Sequence, residues 1–127
     1  WEKEYEATID TLFSMIDPSA IVWISLGALR YIPSLKRVGL QRFPATRIFS
    51  GEFIEGLDGK ARYFRPNRVE LYKKIYNRIN RYATDNCCVY FCMESDEIWR
   101  DVMGFAPEDR GGLGKMLDRA ASKTLGI

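Results

Sequence analysis

Two stretches of the sequence decide the fold: Ala20-Ile21-Val22-Trp23-Ile24-Ser25-Leu26 and Cys87-Cys88-Val89-Tyr90-Phe91-Cys92-Met93. Each has the length of a strand and is rich in β-branched or aromatic residues. Their apolar character is almost continuous, which is typical of strands buried on both faces of a parallel sheet. Because two such strands are too few for a complete sheet, we expect this chain to complete a larger sheet or barrel.

Helices are predicted on both sides of the first strand. Apolar residues recur at helical spacing from Trp1 to Ile16. Asp17-Pro18 ends this helix, because the residue before a proline avoids helical backbone angles. Ser34 is expected to cap a second helix that ends near Arg42. The first strand therefore lies between two helices.

Helices are also predicted around the second strand. Pro66-Asn67 introduces a long helix, and Ser95 is expected to cap a short helix that ends at Gly104. The tail from Gly111 is weakly amphipathic, so we expect a terminal helix there. The alternation of helices and strands predicts an α/β fold.

A β-hairpin is predicted in the middle of the chain, over about residues 46–65. Its two extended runs, Thr46 to Ile54 and Lys60 to Arg65, flank the dipeptide Asp58-Gly59. This dipeptide is a strong signal for a two-residue turn, which requires positive φ angles.

The composition excludes several classes of function. The 127 residues include no histidine, which excludes a Ser–His or Cys–His nucleophile pair and a His-ligated zinc ion. No apolar run reaches the ~18 residues of a membrane span, so no membrane partner is expected. Three cysteines in one apolar run make a poor disulfide framework and favour the reducing cytoplasm. We predict that these cysteines, with Trp23 and Trp99, belong to the core.

The charge of the chain is unevenly distributed. The net charge is only +2, but Arg30 to Arg81 contains 13 Lys/Arg against 4 Asp/Glu, a local charge of +9. This asymmetry indicates a polyanionic partner, although a solvated helix face would give the same pattern.

Four stretches resemble spore photoproduct lyases and their radical-SAM relatives. In chain order they are Val22 to Arg30, Pro33 to Lys36, the segment Gly51 to Pro66 with its Gly56-Leu57-Asp58-Gly59-Lys60 and Arg62-Tyr63-Phe64-Arg65-Pro66 motifs, and Tyr90 to Ser95 with Trp99. The third stretch is the most specific. The resemblance covers roughly residues 8–105.

This resemblance implies the C-terminal portion of a partial (β/α)6 radical-SAM barrel over residues 1–110, with the inserted hairpin, and a tail over residues 111–127. It also implies S-adenosylmethionine and a 4Fe–4S cluster in the full-length protein, a 5′-deoxyadenosyl radical, and DNA repair by reversion of a thymine dimer, the spore photoproduct. The family's C-x3-C-x2-C cluster motif lies upstream of such a segment. This chain alone is therefore expected to be inactive, with neither cofactor bound.

Cys88, Cys92 and Ser95 imitate the spacing of the cluster motif, but we reject them as a cluster site. In a strand, Cys88 and Cys92 would be roughly 13 Å apart, which is too far to hold one cluster. No metal site is predicted in this segment.

The carboxyl ends of the two strands carry the candidates for chemistry, because barrel sites gather at that end. Glu94 is the candidate catalytic residue, since a carboxylate after an apolar strand is costly to bury without a partner. Ser25 is the candidate for contact with the cofactor. A salt bridge or a helix contact is the alternative role of Glu94.

The hairpin carries the predicted DNA-binding residues. Lys60, Arg62 and Arg65 are interleaved with Tyr63 and Phe64. Cations bind phosphates and aromatic rings stack on unstacked bases, which suits an enzyme that takes a lesion out of a duplex. A half-buried hairpin with a solvated edge is the alternative. Arg30, Lys36 and Arg37 are candidates to extend this phosphate track.

Three functions remain open from the sequence. The first is a segment of a DNA repair lyase, whose partners would be UV-damaged DNA and the upstream half of the same polypeptide. The second is a radical-SAM relative with a different substrate, and the third is a non-catalytic nucleic-acid-binding α/β module. Because the chain begins without methionine, we expect a piece of a longer protein, with possible self-association through exposed barrel edges.

Overall fold

The computed structural model describes residues 2–127, and Trp1, which the sequence places in the first helix, lies outside them. The secondary structure in chain order is α1 (Glu2–Met15), β1 (Trp23–Leu26), β2 (Arg30–Tyr31), α2 (Pro33–Arg42), β3 (Phe53–Glu55), β4 (Ala61–Tyr63), α3 (Arg65–Ile79), β5 (Cys88–Phe91), α4 (Asp96–Met103) and α5 (Leu113–Leu125), with short 3-10 turns at Pro18–Ala20 and Pro107–Arg110. The fold is mixed α/β, and the described residues form two small sheets without a closed barrel.

The chain divides into two compact units. The core unit comprises the residues up to Gly27 together with Val69–Ile127, and the hairpin unit comprises Ala28–Arg68. In the described part of the chain, no helix has the length and apolar character needed to cross a membrane.

The core unit is built on the parallel pair of β1 and β5. Their register places Trp23 opposite Cys88 and Leu26 opposite Phe91, which confirms that the two strands are parallel. The ladder extends one residue further, since the Cys92 amide donates to the Leu26 carbonyl at 2.8 Å.

One face of this pair packs on α1 and α3. Val89 forms a buried cluster with Ile9, Phe13 and Ile79. Further along β5, the Phe91 ring lies 4.5 Å from Tyr72 and 5.2 Å from Trp99 between centroids. Burial of side chains of this size contributes roughly 1.5–3 kcal/mol each.

α4 is defined by its two ends, as the sequence predicts. The Ser95 hydroxyl accepts a hydrogen bond from the Ile98 amide, and Gly104 ends the helix at φ 80°. Between these caps, Ile98 and Trp99 are 1% and 3% exposed, so the core position predicted for Trp99 is confirmed.

α1 and α3 are joined by a charged contact. Arg78 makes a two-pronged ion pair with Asp10, and the Tyr82 hydroxyl donates to the same carboxylate at 2.7 Å. These hydrogen bonds lower the pKa of Asp10 to about 2. Phe13 stacks on Tyr82 at 4.9 Å between ring centroids.

The prediction that β1 and β5 are buried on both faces is wrong. Exposure alternates along both strands. Trp23 is 52% exposed rather than in the core, although its indole N–H donates to the Leu117 carbonyl of α5 at 3.1 Å. Cys87 and Cys88 are half-buried and Cys92 is exposed, so Cys92 is not a core residue.

Three local predictions are also corrected. The first strand is shorter than predicted, because Asp17 caps a 3-10 turn over Pro18–Ala20. Ser34 does not cap α2, since the cap residue is Ile32 and Pro33 occupies the first turn. Of the extended run predicted from Thr46, only Phe53–Glu55 forms a strand.

Candidate nucleic-acid interface

The hairpin unit contains a three-stranded antiparallel sheet in the order β2-β4-β3. In its register, Phe53 lies opposite Tyr63 and Glu55 opposite Ala61. On the other side of β4, Arg30 lies opposite Arg62. The sheet therefore brings Arg30, which is 32 positions away in sequence, next to the predicted DNA-binding hairpin.

The turn of the hairpin differs from the predicted two-residue turn. The Gly56 amide donates to the Lys60 carbonyl at 3.0 Å, and the Gly59 amide donates to the Gly56 carbonyl at 2.9 Å. Within residues 56–60, only Gly59 has a positive φ angle, at 70°. This is a three-residue loop with glycine in the left-handed conformation, the next most common hairpin type.

Asp58 organises the cations of the turn. Its carboxylate forms an ion pair with the Arg62 guanidinium and accepts a hydrogen bond from the Lys60 amide at 3.2 Å. The hydrogen bond from Arg62, with a smaller effect of the Arg30 charge, lowers the pKa of Asp58. One carboxylate thus fixes both the Arg62 guanidinium and the Lys60 backbone at the turn.

An aromatic cluster lies within this sheet. The Tyr31 ring is 5.1 Å from both Phe49 and Phe53, and Phe53 stacks on Tyr63 at 4.6 Å. Tyr31 is 5% exposed, and burial raises the pKa of its hydroxyl. The cluster gives the sheet its core and fixes the position of Tyr63.

Phe49 also packs against α2 and explains a glycine there. A Cβ atom at Gly39 would lie 2.7 Å from the Phe49 ring, which is closer than van der Waals contact. At the other end of the unit, the buried Arg68 donates to the Tyr63 carbonyl at 2.7 Å. These two contacts tie the loop before β3 and the end of β4 to their neighbouring helices.

The predicted DNA-binding residues occupy different environments. Lys60 and Arg62 are half-buried at the hairpin, and Tyr63 is held in the aromatic cluster. The prediction that Arg65 continues the strand is wrong, because Arg65 is the first residue of α3. Phe64, which the sequence analysis names beside these cations, is 49% exposed, whereas the fully exposed Leu57 at the tip of the turn was missed.

The hairpin unit as a whole is strongly basic. Ala28–Arg68 contains nine Lys/Arg and three Asp/Glu, a net charge of +6. Because the net charge of the whole chain is +2, the rest of the chain has a net charge of −4. Lys36 and Arg37 lie exposed on α2, so the basic surface extends beyond the hairpin. The sequence predicts a turn at Asp58-Gly59, whereas the pairing of Asp58 with Arg62 depends on the type of loop that forms there.

The two candidates for chemistry are in the core unit, and the structure does not bring them together. Glu94 accepts a hydrogen bond from the Tyr72 hydroxyl at 2.9 Å, on the face that carries Phe91. Ser25 alternates with Leu26 and so points to the opposite face, level with Tyr90. Glu94 is half-buried, and the Tyr72 hydroxyl is one partner of its carboxylate.

The cysteines do not fit an iron–sulfur cluster. Cys88 lies within β5, and Cys92 lies in the bend directly after it, where its amide donates to the Leu26 carbonyl, so the two do not share one loop that could surround a metal. Among residues 2–127, no three His, Cys, Asp or Glu side chains are grouped to hold a metal ion. No step of radical chemistry can be assigned to these residues.

Comparison with known proteins adds no relative from which a role could be transferred. The chain matches no protein-family model, no curated protein and no solved structure.

Proposed function

We propose that the hairpin unit binds DNA, as part of a cytoplasmic radical-SAM protein similar to spore photoproduct lyases that acts on UV-damaged DNA. The observation that carries the proposal is the concentration of positive charge in one compact unit, +6 in 41 residues. Phosphate contacts by Lys and Arg supply most of the non-specific affinity of DNA-binding proteins.

Two exposed apolar side chains, one at the turn and one just after β4, support a role at a damaged site in particular. Leu57 and Phe64 are open to contact, and apolar side chains of this kind insert between base steps in many DNA-bending proteins. A lesion is easier to unstack than an intact base pair, at a cost of a few kcal/mol. Cations beside an apolar tip would hold the backbone while the bases separate.

The core unit supports the barrel part of the proposal. β1 and β5 are parallel neighbours, although three strands and two helices (β2, α2, β3, β4 and α3) separate them in sequence. In the described residues each of them pairs only with the other, so each has an open edge. We propose that the upstream half of the polypeptide adds strands there and supplies the cluster, S-adenosylmethionine and the radical chemistry.

DNA binding can be tested with labelled duplexes, undamaged and UV-irradiated, by fluorescence anisotropy. Replacing Lys60, Arg62 and Arg65 with alanine should weaken binding at least tenfold. If these residues neutralise three phosphates, raising the salt concentration from 50 to 200 mM should weaken wild-type binding by roughly 40-fold.

A matched control removes the same charge from the core unit by replacing Lys3, Lys73 and Arg81 with alanine. These side chains are exposed, and the control should bind within about twofold of wild type. Equal losses in the two variants would mean that only net charge matters. Unchanged binding in the hairpin variant would remove the hairpin unit from the interface.

The complete reading frame tests the reaction separately. A C-x3-C-x2-C loop upstream of residue 1 would support the lyase or a radical-SAM relative, and turnover of a dinucleotide photoproduct would then separate these two. A frame without such a loop would exclude both and leave a DNA-binding module.

A further inference from the structure

A second group of cations lies in the core unit, away from any function assigned above. It consists of Arg110, Lys115, Arg119 and Lys123, which we call the α5 basic cluster. Elsewhere in the unit Lys74, Arg78 and Arg100 are paired with carboxylates. Within residues 2–127, none of the four cations of the cluster forms an ion pair. Neighbouring like charges that outnumber the nearby carboxylates repel each other, so this arrangement favours a bound anion.

The helix spacing places three of these cations on one face. Lys115, Arg119 and Lys123 are four residues apart, so each is roughly 6 Å further along α5 than the one before. Lys115 and Arg119 converge over Gly111: their terminal nitrogens Nζ and Nη2 lie 3.8 and 3.5 Å from the point where a Cβ atom would sit. The absence of a side chain there leaves room for both.

Arg110 and Arg119 are held in place by contacts that leave donors available. The Arg110 guanidinium lies over the Phe105 ring, 3.5 Å from its centroid, which supports the planar group without using its N–H donors. Arg119 donates one hydrogen bond, from Nη2 to the Arg110 carbonyl at 2.9 Å. An arginine has five N–H donors in a fixed fork that matches the oxygens of a phosphate.

Two adjoining depressions open on the cluster. One, of about 200 Å³, is lined by Arg110, Arg119 and Lys123 with the half-buried Cys88 and with one carboxylate, Asp85. The other, of about 360 Å³, shares Arg119 and Lys123 and adds Lys115, Ser122 and one carboxylate, Asp118. In each depression three cations face a single carboxylate.

We propose that the α5 basic cluster binds a small phosphorylated molecule through two linked phosphate groups, one in each depression and with Arg119 and Lys123 between them. The smaller depression is below the usual 300–1,000 Å³ of a site for a drug-sized ligand, which suits a single phosphate.

The proposal is tested by titrating the whole chain with pyrophosphate, inorganic phosphate and duplex DNA at constant ionic strength in chloride, by calorimetry. Pyrophosphate should bind more tightly than inorganic phosphate, and the double variant Arg119→Ala/Lys123→Ala should weaken it at least tenfold. The control Lys73→Ala/Arg81→Ala removes the same charge from α3 and its C-terminal end and should bind as wild type does. Equal losses in both variants, or no pyrophosphate binding, would overturn the proposal.

Titration with duplex DNA distinguishes the phosphates of a small molecule from the phosphates of a DNA backbone. If duplex DNA competes with pyrophosphate and loses affinity in the Arg119→Ala/Lys123→Ala variant, the cluster is a DNA contact and the small-molecule proposal fails. The Lys60, Arg62 and Arg65 variant should leave pyrophosphate binding unchanged, so failure of the DNA proposal and failure of this one give different results.

Cys88 provides a second readout that needs no variant. Burial raises the pKa of this thiol, and the Arg110 charge lowers it to a smaller extent. Both iodoacetate and iodoacetamide react with the thiolate. The ratio of their alkylation rates is therefore independent of the fraction of thiol that is ionised. We expect that the anionic reagent is favoured at Cys88 relative to the exposed Cys92, with sites assigned by peptide mass spectrometry, and that pyrophosphate removes this preference. Equal ratios at the two thiols would contradict an anion-attracting pocket.

Discussion

The core unit and the hairpin unit differ in both packing and charge. Of twelve buried hydrophobic residues in the described chain, only Tyr31 belongs to the hairpin unit. That unit carries +6, against −4 for the core unit, and its helix α2 buries no residue. Buried apolar area stabilises a fold, whereas exposed charge and apolar tips serve recognition. The comparison shows that buried packing is concentrated in the core unit, whereas the hairpin unit presents the exposed charge on which the DNA-binding proposal rests.

The largest effect on stability should come from a pair of matched isoleucine-to-alanine substitutions, one in each unit. Ile98 is 1% exposed in the core unit, and Ile54 is 45% exposed in the hairpin unit. Replacing Ile98 with alanine should lower the free energy of unfolding by about 2–5 kcal/mol, because it removes packed atoms and leaves a cavity. The same change at Ile54 should cost less than about 1 kcal/mol. Urea denaturation measures both, and similar costs would contradict the division of stability.

Replacing a turn glycine with alanine should lower the free energy of unfolding by a smaller amount, and this amount should be similar in the two units. Gly59 in the hairpin and Gly104 after α4 have positive φ angles, and an added Cβ meets no atom closer than 4.0 Å at either site. Alanine should therefore cost about 1–2 kcal/mol at each, from backbone conformation alone. Gly114 in α5 is the control, since it has open space and helical angles, and alanine there should stabilise by about 0.5–1 kcal/mol. A stabilising Gly104→Ala would show that the positive φ is not required.

The smallest effects on stability should come from removing either of two surface ion pairs. The size of these effects should depend on pH. The pKa of Asp10 in the core unit is lowered to about 2, chiefly by its hydrogen bond from Arg78, and that of Asp58 in the hairpin unit is lowered by Arg62. A lowered pKa stabilises the fold above the unfolded value of about 3.9 and loses that contribution as pH falls through the folded value.

The difference in melting temperature between wild type and Asp10→Asn should therefore be constant above about pH 5 and disappear as pH falls towards 2. Asp58→Asn should behave in the same direction. A difference that grows as the pH falls would show that these carboxylates are not stabilised as anions.

Local rules predicted much of the core unit. Ser95 and Gly104 mark the ends of α4, and the paired apolar runs become parallel strands, because caps and hydrophobic runs act over a few residues. Trp23 was mispredicted because the pattern of a strand does not reveal whether another element covers it. Its indole N–H donates to the Leu117 carbonyl of α5, but the side chain remains 52% exposed.

The candidate sites were harder to predict, because they depend on side chains from distant positions. The sequence identified Lys60 and Arg62 but not the Asp58 ion pair, which needs the three-residue loop. The sequence names Arg30 as a candidate phosphate contact, but it does not reveal that the pairing of β2 with β4 places Arg30 opposite Arg62. The α5 basic cluster was missed, although the four-residue spacing of Lys115, Arg119 and Lys123 was visible.

Hydrogen exchange with and without a saturating duplex tests the central claim most directly, because it locates the interface without changing any residue. The account predicts that DNA protects amides within residues 28–68, strongest around the turn at residues 56–60, and leaves those of α5 unchanged. Protection confined to the core unit, with the hairpin exchanging as in the free protein, would contradict it.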